Sequence, residues 1–89
     1  MKAIVTVIGK DQVGIIAGVC TVLAGQGINV LDISQTVLQG FFTMMMVTEI
    51  SQCTVPLVEL IENMQALGEG MGLSVRVQRE DIFEAMHHV

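Results

Sequence analysis

The segment Gly9-Lys10-Asp11-Gln12-Val13-Gly14-Ile15-Ile16 holds the residue types best placed to do chemistry in this chain. Its glycines have the G-x-x-x-x-G spacing of a phosphate loop. Ile15 and Ile16 stand where Lys and Ser or Thr must hold phosphate and magnesium, which argues against nucleotide binding. The segment also lacks the paired cysteines of a copper carrier and the arginine of an anion clamp. What remains is a glycine at a helix N-terminus, where unpaired backbone N–H groups of Gly14, Ile15 and Ile16 favour an anion such as a carboxylate. Asp11 beside them can hold an ammonium group. Opposite charges a few ångströms apart suit an α-amino acid zwitterion. A plainer reading uses the same residues: Asp11 caps the helix and Gly14 permits close packing.

The other conspicuous residues carry less chemistry. Met44-Met45-Met46 invites a copper site, but adjacent strand residues point to opposite faces, so three successive thioethers cannot converge. They read as adaptable packing, with an interface as one place for it. Phe41 and Phe42 after Gly40 mimic the aromatic strand of an RNA-binding domain, but Gln39 replaces its basic residue and Thr43-Met44-Met45 its later aromatics. His87 and His88 face different directions on a helix and complement its C-terminal dipole better than they bind metal. Cys20 lies on an apolar helical stripe with no histidine nearby in sequence, and reads as inert. No metal site and no cofactor are expected.

These residues must be positioned by elements that the hydrophobic pattern marks out. Ala3 to Ile8 is rich in β-branched residues and ends at Gly9, a mostly buried strand. Ile16, Val19, Cys20 and Leu23 recur at helical spacing, with Asp11 to cap the start and Gly25 and Gly27 to stop it. Ile28 to Leu38 and Phe41 to Ile50 are extended runs around Gln39-Gly40, a hairpin. On the second of these strands Met44, Met46 and Ile50 share one face, and Phe41, Met45 and Val47 the other. Thr54 and Pro56 open a helix whose face is Leu57, Leu60, Ile61, Met64, Leu67 and Met71; Gly68, Gly70 and Gly72 loosen and end it. Leu73, Val75 and Val77 alternate with polar residues in a last strand. Asp81 and Glu84 make a capping-box pattern for a terminal helix over Ile82 to His88. The order βαββαβ predicts an α+β ferredoxin-like sandwich, a four-stranded antiparallel sheet with both helices on one face and a short C-terminal helix.

Composition narrows the function. The 89 residues are 52% hydrophobic and 15% charged, against about 25% charged in typical domains. A chain this short buries only about 60% of its unfolded surface, so this much apolar area predicts a homodimer or higher even oligomer. A net charge of −5 repels phosphate backbones and anionic lipid, so neither nucleic acid nor a membrane is an expected partner. The apolar stretch Val13 to Ala24 is broken by glycines and too short to span a bilayer, and the N-terminus does not read as a signal peptide. Two cysteines without disulfide or metal spacing point to a reducing, cytoplasmic setting. The chain offers no nucleophile–base pair and no paired carboxylates at reactive spacing, which disfavours an enzyme.

The loop Asp-Gln-Val-Gly-Ile-Ile, with Gly27-Ile28-Asn29-Val30 opening the second strand, resembles the ACT domain, a small-molecule-binding regulatory module. The resemblance covers Lys2 to about Glu80. It is nearest to stand-alone single-ACT proteins and to the ACT pairs of the glycine-cleavage regulator, and it divides the chain into an ACT domain over 1–80 and a helical tail over 81–89. It implies a dimer whose effector, an amino acid for example, sits between the first loop of one subunit and the second strand of its neighbour. On that pattern Asp11, Gln12, Val13, Gly14 and Ile15 line one side, and Asn29, Val30 and Leu31 the other. It departs from the pattern at Val13, where many such loops have proline, and at Gly9, where some amino-acid binders place a polar side chain. The function expected is non-catalytic: ligand binding shifts the dimer's geometry and a separate partner protein reads it. The rival is a purely structural or interaction subunit that takes no ligand.

Overall fold

A computed structural model describes residues 1–81 of the chain. Its elements run β1 (Lys2–Lys10), α1 (Ile15–Gly25), β2 (Asn29–Leu38), β3 (Phe41–Glu49), α2 (Leu57–Met71) and β4 (Leu73–Arg79). The strands form one antiparallel sheet in the order β2-β3-β1-β4. This is the ferredoxin-like sandwich that the element order predicts. The expected terminal helix over Ile82 to His88 lies outside the described residues.

The period of two along the strands decides which face is core. Ala3, Val5 and Val7 of β1, Phe42, Met44 and Met46 of β3, and Leu73, Val75 and Val77 of β4 are all buried. They pack in one cluster with Ile15, Val19 and Leu23 of α1 and Leu60 and Met64 of α2. Thr48 is the polar member of this face, and its hydroxyl donates to the Ala3 carbonyl at 2.9 Å, which satisfies it. Met45 projects to the opposite face, the one Phe41 also takes, so the three consecutive methionines are split as the strand period requires.

Two helical details differ from expectation. Asp11 does not cap α1: the helix begins at Ile15, its N-cap is Gly14 at φ +90°, and no side chain caps it. Asp11 lies four positions before the first helical residue and three before the N-cap, too far for its carboxylate to act as the cap. The buried stripe of α1 is correspondingly Ile15, Val19 and Leu23, while Ile16 is partly exposed and Cys20 half-buried. The second correction concerns α2, which Gly68 and Gly70 do not loosen; it runs through both to a left-handed cap at Gly72. Gly68 is there for close approach. A Cβ on it would lie 2.7 Å from the Leu73 carbonyl oxygen and 2.8 Å from Val75 Cγ2, so its absence lets α2 lie directly on β4.

At the far end of the sheet the N-terminal ammonium of Met1 donates to Glu49 Oε1 at 2.8 Å and to Ser51 Oγ at 2.7 Å. That ammonium, with help from Ser51, holds the Glu49 carboxyl down to about 2. The pair is solvent-exposed and closes the β1 and β3 ends without contributing much stability.

The split of the methionines is testable. Met46→Ala leaves a cavity under both helices and is expected to destabilise by about 2–4 kcal/mol. Met45→Ala should cost less than half as much, as read from urea midpoints of the two variants.

Candidate functional site

The loop between β1 and α1 is held at two points. The Asp11 backbone N–H donates to the Gly40 carbonyl at 2.8 Å, fastening the loop to the β2–β3 turn, where Gln39 and Gly40 both have positive φ, the two-residue hairpin type. The Gln12 side-chain Nε2 donates to the Met71 carbonyl at 2.6 Å. That bond satisfies an acceptor at the C-terminus of α2 that the helix itself leaves open. Gln12 thus braces the loop from behind.

Between these anchors the chain turns at Gly14 into α1. The first bond of the helix runs from Gly18 N–H to Gly14 O at 2.8 Å. The N–H groups of Ile15, Ile16 and Ala17 therefore have no carbonyl one turn earlier in the helix to bond. The first turn holds no acidic side chain to offset the positive end of the helix dipole. A shallow depression of about 250 Å³ opens there, lined by Asp11, Gln12 and Gly14 of the loop, Ile15, Ile16 and Ala17 of the first turn, and Phe42 of β3. The arrangement offers amide donors and a carboxylate over an apolar floor.

The eight residues expected at the site do not all come together. Asp11, Gln12, Gly14 and Ile15 line the depression, although the Ile15 side chain is mostly sunk in the core. Val13 is fully exposed and is not part of the lining. Asn29, Val30 and Leu31 lie at the opposite end of the sheet. Leu38 pairs with Phe41 near the loop, whereas Asn29 pairs with Glu49, so along an extended strand the two ends are about 25–30 Å apart. Leu31 sits in the irregularity between Val30 and Asp32 and is exposed. Within one chain, then, the loop half and the strand half of the expected site cannot meet.

Phe42 and Ala17 line the depression without having been singled out from the sequence. Phe42 reads as core, and it is nearly all core; only the register that sets it opposite Gly9 brings its edge to the loop. Ala17 carries no chemical signal at all. Among the described residues no three His, Cys, Asp or Glu side chains are grouped to hold a metal ion, and no helix is long and apolar enough to cross a membrane.

Comparison with known proteins agrees with this geometry. The family model of the ACT domain matches residues 2–78. A UPF0237 protein of Clostridium acetobutylicum is 49% identical over 89 residues, all of both chains. An ACT domain protein from Streptococcus pneumoniae superposes with a TM-score of 0.82 at 44% identity, covering 94% of each chain. A structure assigned as a glycine cleavage system transcriptional repressor matches at a TM-score of 0.71 and 21% identity, over 88% of this chain and 44% of that one. At that identity the last comparison speaks for the fold alone.

Two substitutions separate the roles of the loop residues in stability. No atom lies within 4 Å of a Cβ built on Gly14, so Gly14→Val causes no clash there. It instead forces a β-branched residue into positive φ, and should cost about 1–2 kcal/mol or more in thermal or urea unfolding. Asp11→Asn should change stability by less than about 0.5 kcal/mol, because Asp11 does not cap the helix.

Proposed function

The chain belongs to the ACT domain family, and on that premise we propose that it is a dimeric, non-catalytic regulatory module that binds an α-amino acid at the N-terminus of α1. One observation carries the reading: the open amides of the first helical turn and the Asp11 carboxylate flank the same apolar-floored depression. The amides take the ligand's carboxylate. Asp11 takes its ammonium group. Ile16, Ala17 and Phe42 meet the side chain, and the modest volume favours a small or medium-sized ligand.

The strand half of the site supports a particular dimer. β2 is an edge strand of ten residues, exposed along nearly its whole length. Its Ile33 and Val37 share a face with the buried Met46 and Phe42, yet the helices do not cover them. Antiparallel pairing of β2 with β2 of a second copy about a two-fold axis reverses the strand, so that Asn29, Val30 and Leu31 of the neighbour approach the Leu38 end of the first chain. That is the end where the α1 depression lies. Such pairing closes an open edge and completes the ligand site in one step.

Binding at that boundary favours one dimer geometry over another, and a separate partner protein reads the difference. The half-buried free cysteines Cys20 and Cys53 suit a reducing, cytoplasmic setting. A purely structural subunit shares the fold and the dimer but has no pocket that saturates.

The test is calorimetric titration of the twenty amino acids into the wild type, followed by variants. A saturable ligand is expected. Asp11→Asn should weaken it by about 1.5–3 kcal/mol, the scale of a hydrogen bond to a charged partner. Ile33 lies near the middle of β2, so Ile33→Lys sets like charges against each other across a two-fold axis. The variant should sediment as a monomer and lose ligand affinity with the dimer. A wild type that sediments as a dimer but takes up none of the twenty supports the structural subunit instead.

A further inference from the structure

The sheet face turned away from the helices is not uniform. The period of two places Ile4, Thr6 and Ile8 of β1 on it, with Met45 and Val47 of β3 and Arg76 and Gln78 of β4. Ile4 and Ile8 make a matched pair. They share a strand and a face, and each lies between one residue of β3 and one of β4: Val47 and Gln78 flank Ile4, Thr43 and Ser74 flank Ile8. Yet Ile8 is 47% exposed and Ile4 only 7%. Thr6, Val47 and Gln78 around Ile4 are also partly buried, whereas Thr43, Met45, Ser74 and Arg76 toward Ile8 are exposed.

The helices do not account for this difference. Among the described residues Ile4 is the one buried apolar side chain that stands apart from the core cluster under α1 and α2, and the partly buried Val47 stands apart from it too. Flanking side chains do not account for it either. Side chains on a sheet stand roughly perpendicular to it, so in-plane neighbours shield the sides of Ile4 and leave its tip open. The burial is present in a single subunit, so the cover belongs to the same chain.

The segment that follows β4 is in the right place. Arg79, the last residue of β4, pairs with Ala3 beside Ile4, and the backbone turns helical at Glu80 and Asp81. Residues 82–89, outside the described set, carry Ile82, Phe83 and Met86 at the spacing of one helical face. Eight helical residues span about 12 Å. Neighbouring strands lie about 4.8 Å apart, so a helix crossing from the end of β4 reaches β1 and β3 and stops short of β2. Ile8, four residues further along β1, is about 13 Å from Ile4. The reach of the segment thus matches the extent of the burial, with Ile4 and Val47 covered, and Ile8 along β1 and Asp32 across on β2 left exposed.

We propose that residues 82–89 fold back across this end of the open sheet face as a short amphipathic helix, with Ile82, Phe83 and Met86 seated on Ile4 and Val47. This cap takes the surface on which a second sheet would have to stack face to face. Association of two copies is thereby steered to the uncovered β2 edge. The cap does not depend on the ligand reading and is built within one subunit.

NMR of the full chain with isotope-labelled Ile and Val methyl groups tests this. Phe83 ring protons are expected to show NOEs to the methyl groups of Ile4 and Val47, and none to Ile8. In a mixture of labelled and unlabelled chains, isotope filtering should assign these NOEs to contacts within one molecule. A double-mutant cycle gives an independent readout: the effects of Ile4→Ala and Phe83→Ala on the unfolding equilibrium should depart from independence by at least about threefold, while Ile8→Ala and Phe83→Ala combine independently. The proposal is overturned if Phe83 shows no NOE to Ile4 or Val47, if its NOEs lie on Ile8 instead, or if they run only between molecules, which would mark a second copy as the cover. Independence of Ile4→Ala and Phe83→Ala would overturn it as well.

Discussion

The register of β1 between its two neighbours is the constraint on which the rest of the structure depends. Gly9 lies opposite Phe42 on one side and Leu73 on the other. That alignment brings the end of β1 to the β2–β3 turn, where Asp11 N–H meets the Gly40 carbonyl. It also brings the start of β4, and with it the C-terminus of α2, close enough for Gln12 to reach Met71. A slip of one residue would turn Val5 and Val7 out of the core and separate the loop from both anchors. The α1 N-terminus is therefore placed by strand pairing, with the helix itself a consequence of where the loop is held.

The two sheet edges have different characters, and the helices explain why. α2 rests closely on β4 through Gly68, so that edge has a wall over it and becomes a groove. Among the described residues nothing comparable lies over β2, and Ile33 and Val37 stay exposed on the helix side of the sheet. An uncovered edge with apolar residues beside it is a surface that proteins ordinarily protect. Here it fits the proposed pairing with a second copy. The β4 edge instead carries the exposed charge of Arg76, which discourages strand addition.

Much of the fold was legible in the sequence because it is encoded by local periodicity. Alternation along Phe41 to Ile50 and Leu73 to Gln78 identified the strands and their faces, and the stripe Leu60, Ile61, Met64 identified α2. The cap of α1 was misread because Asp, the preferred capping residue, sits three positions before the real N-cap. Nothing local distinguishes a loop that continues to Gly14 from one that ends at Asp11. Gly68 was misread for a similar reason: a glycine required by a strand packed against it looks, in sequence, like a weak point in the helix.

The candidate site divides along the same line. The sequence by itself determined that a glycine-bearing loop with one carboxylate precedes a helix, that no metal or nucleotide motif accompanies it, and which family the loop resembles. Tertiary structure alone decided that Phe42 and Ala17 line the depression, that Gln12 faces α2, and that Asn29 to Leu31 lie at the other end of the sheet. The physical reason is that periodicity and turn chemistry act over a few residues, whereas these juxtapositions arise from strand register and helix–sheet packing between segments distant along the chain.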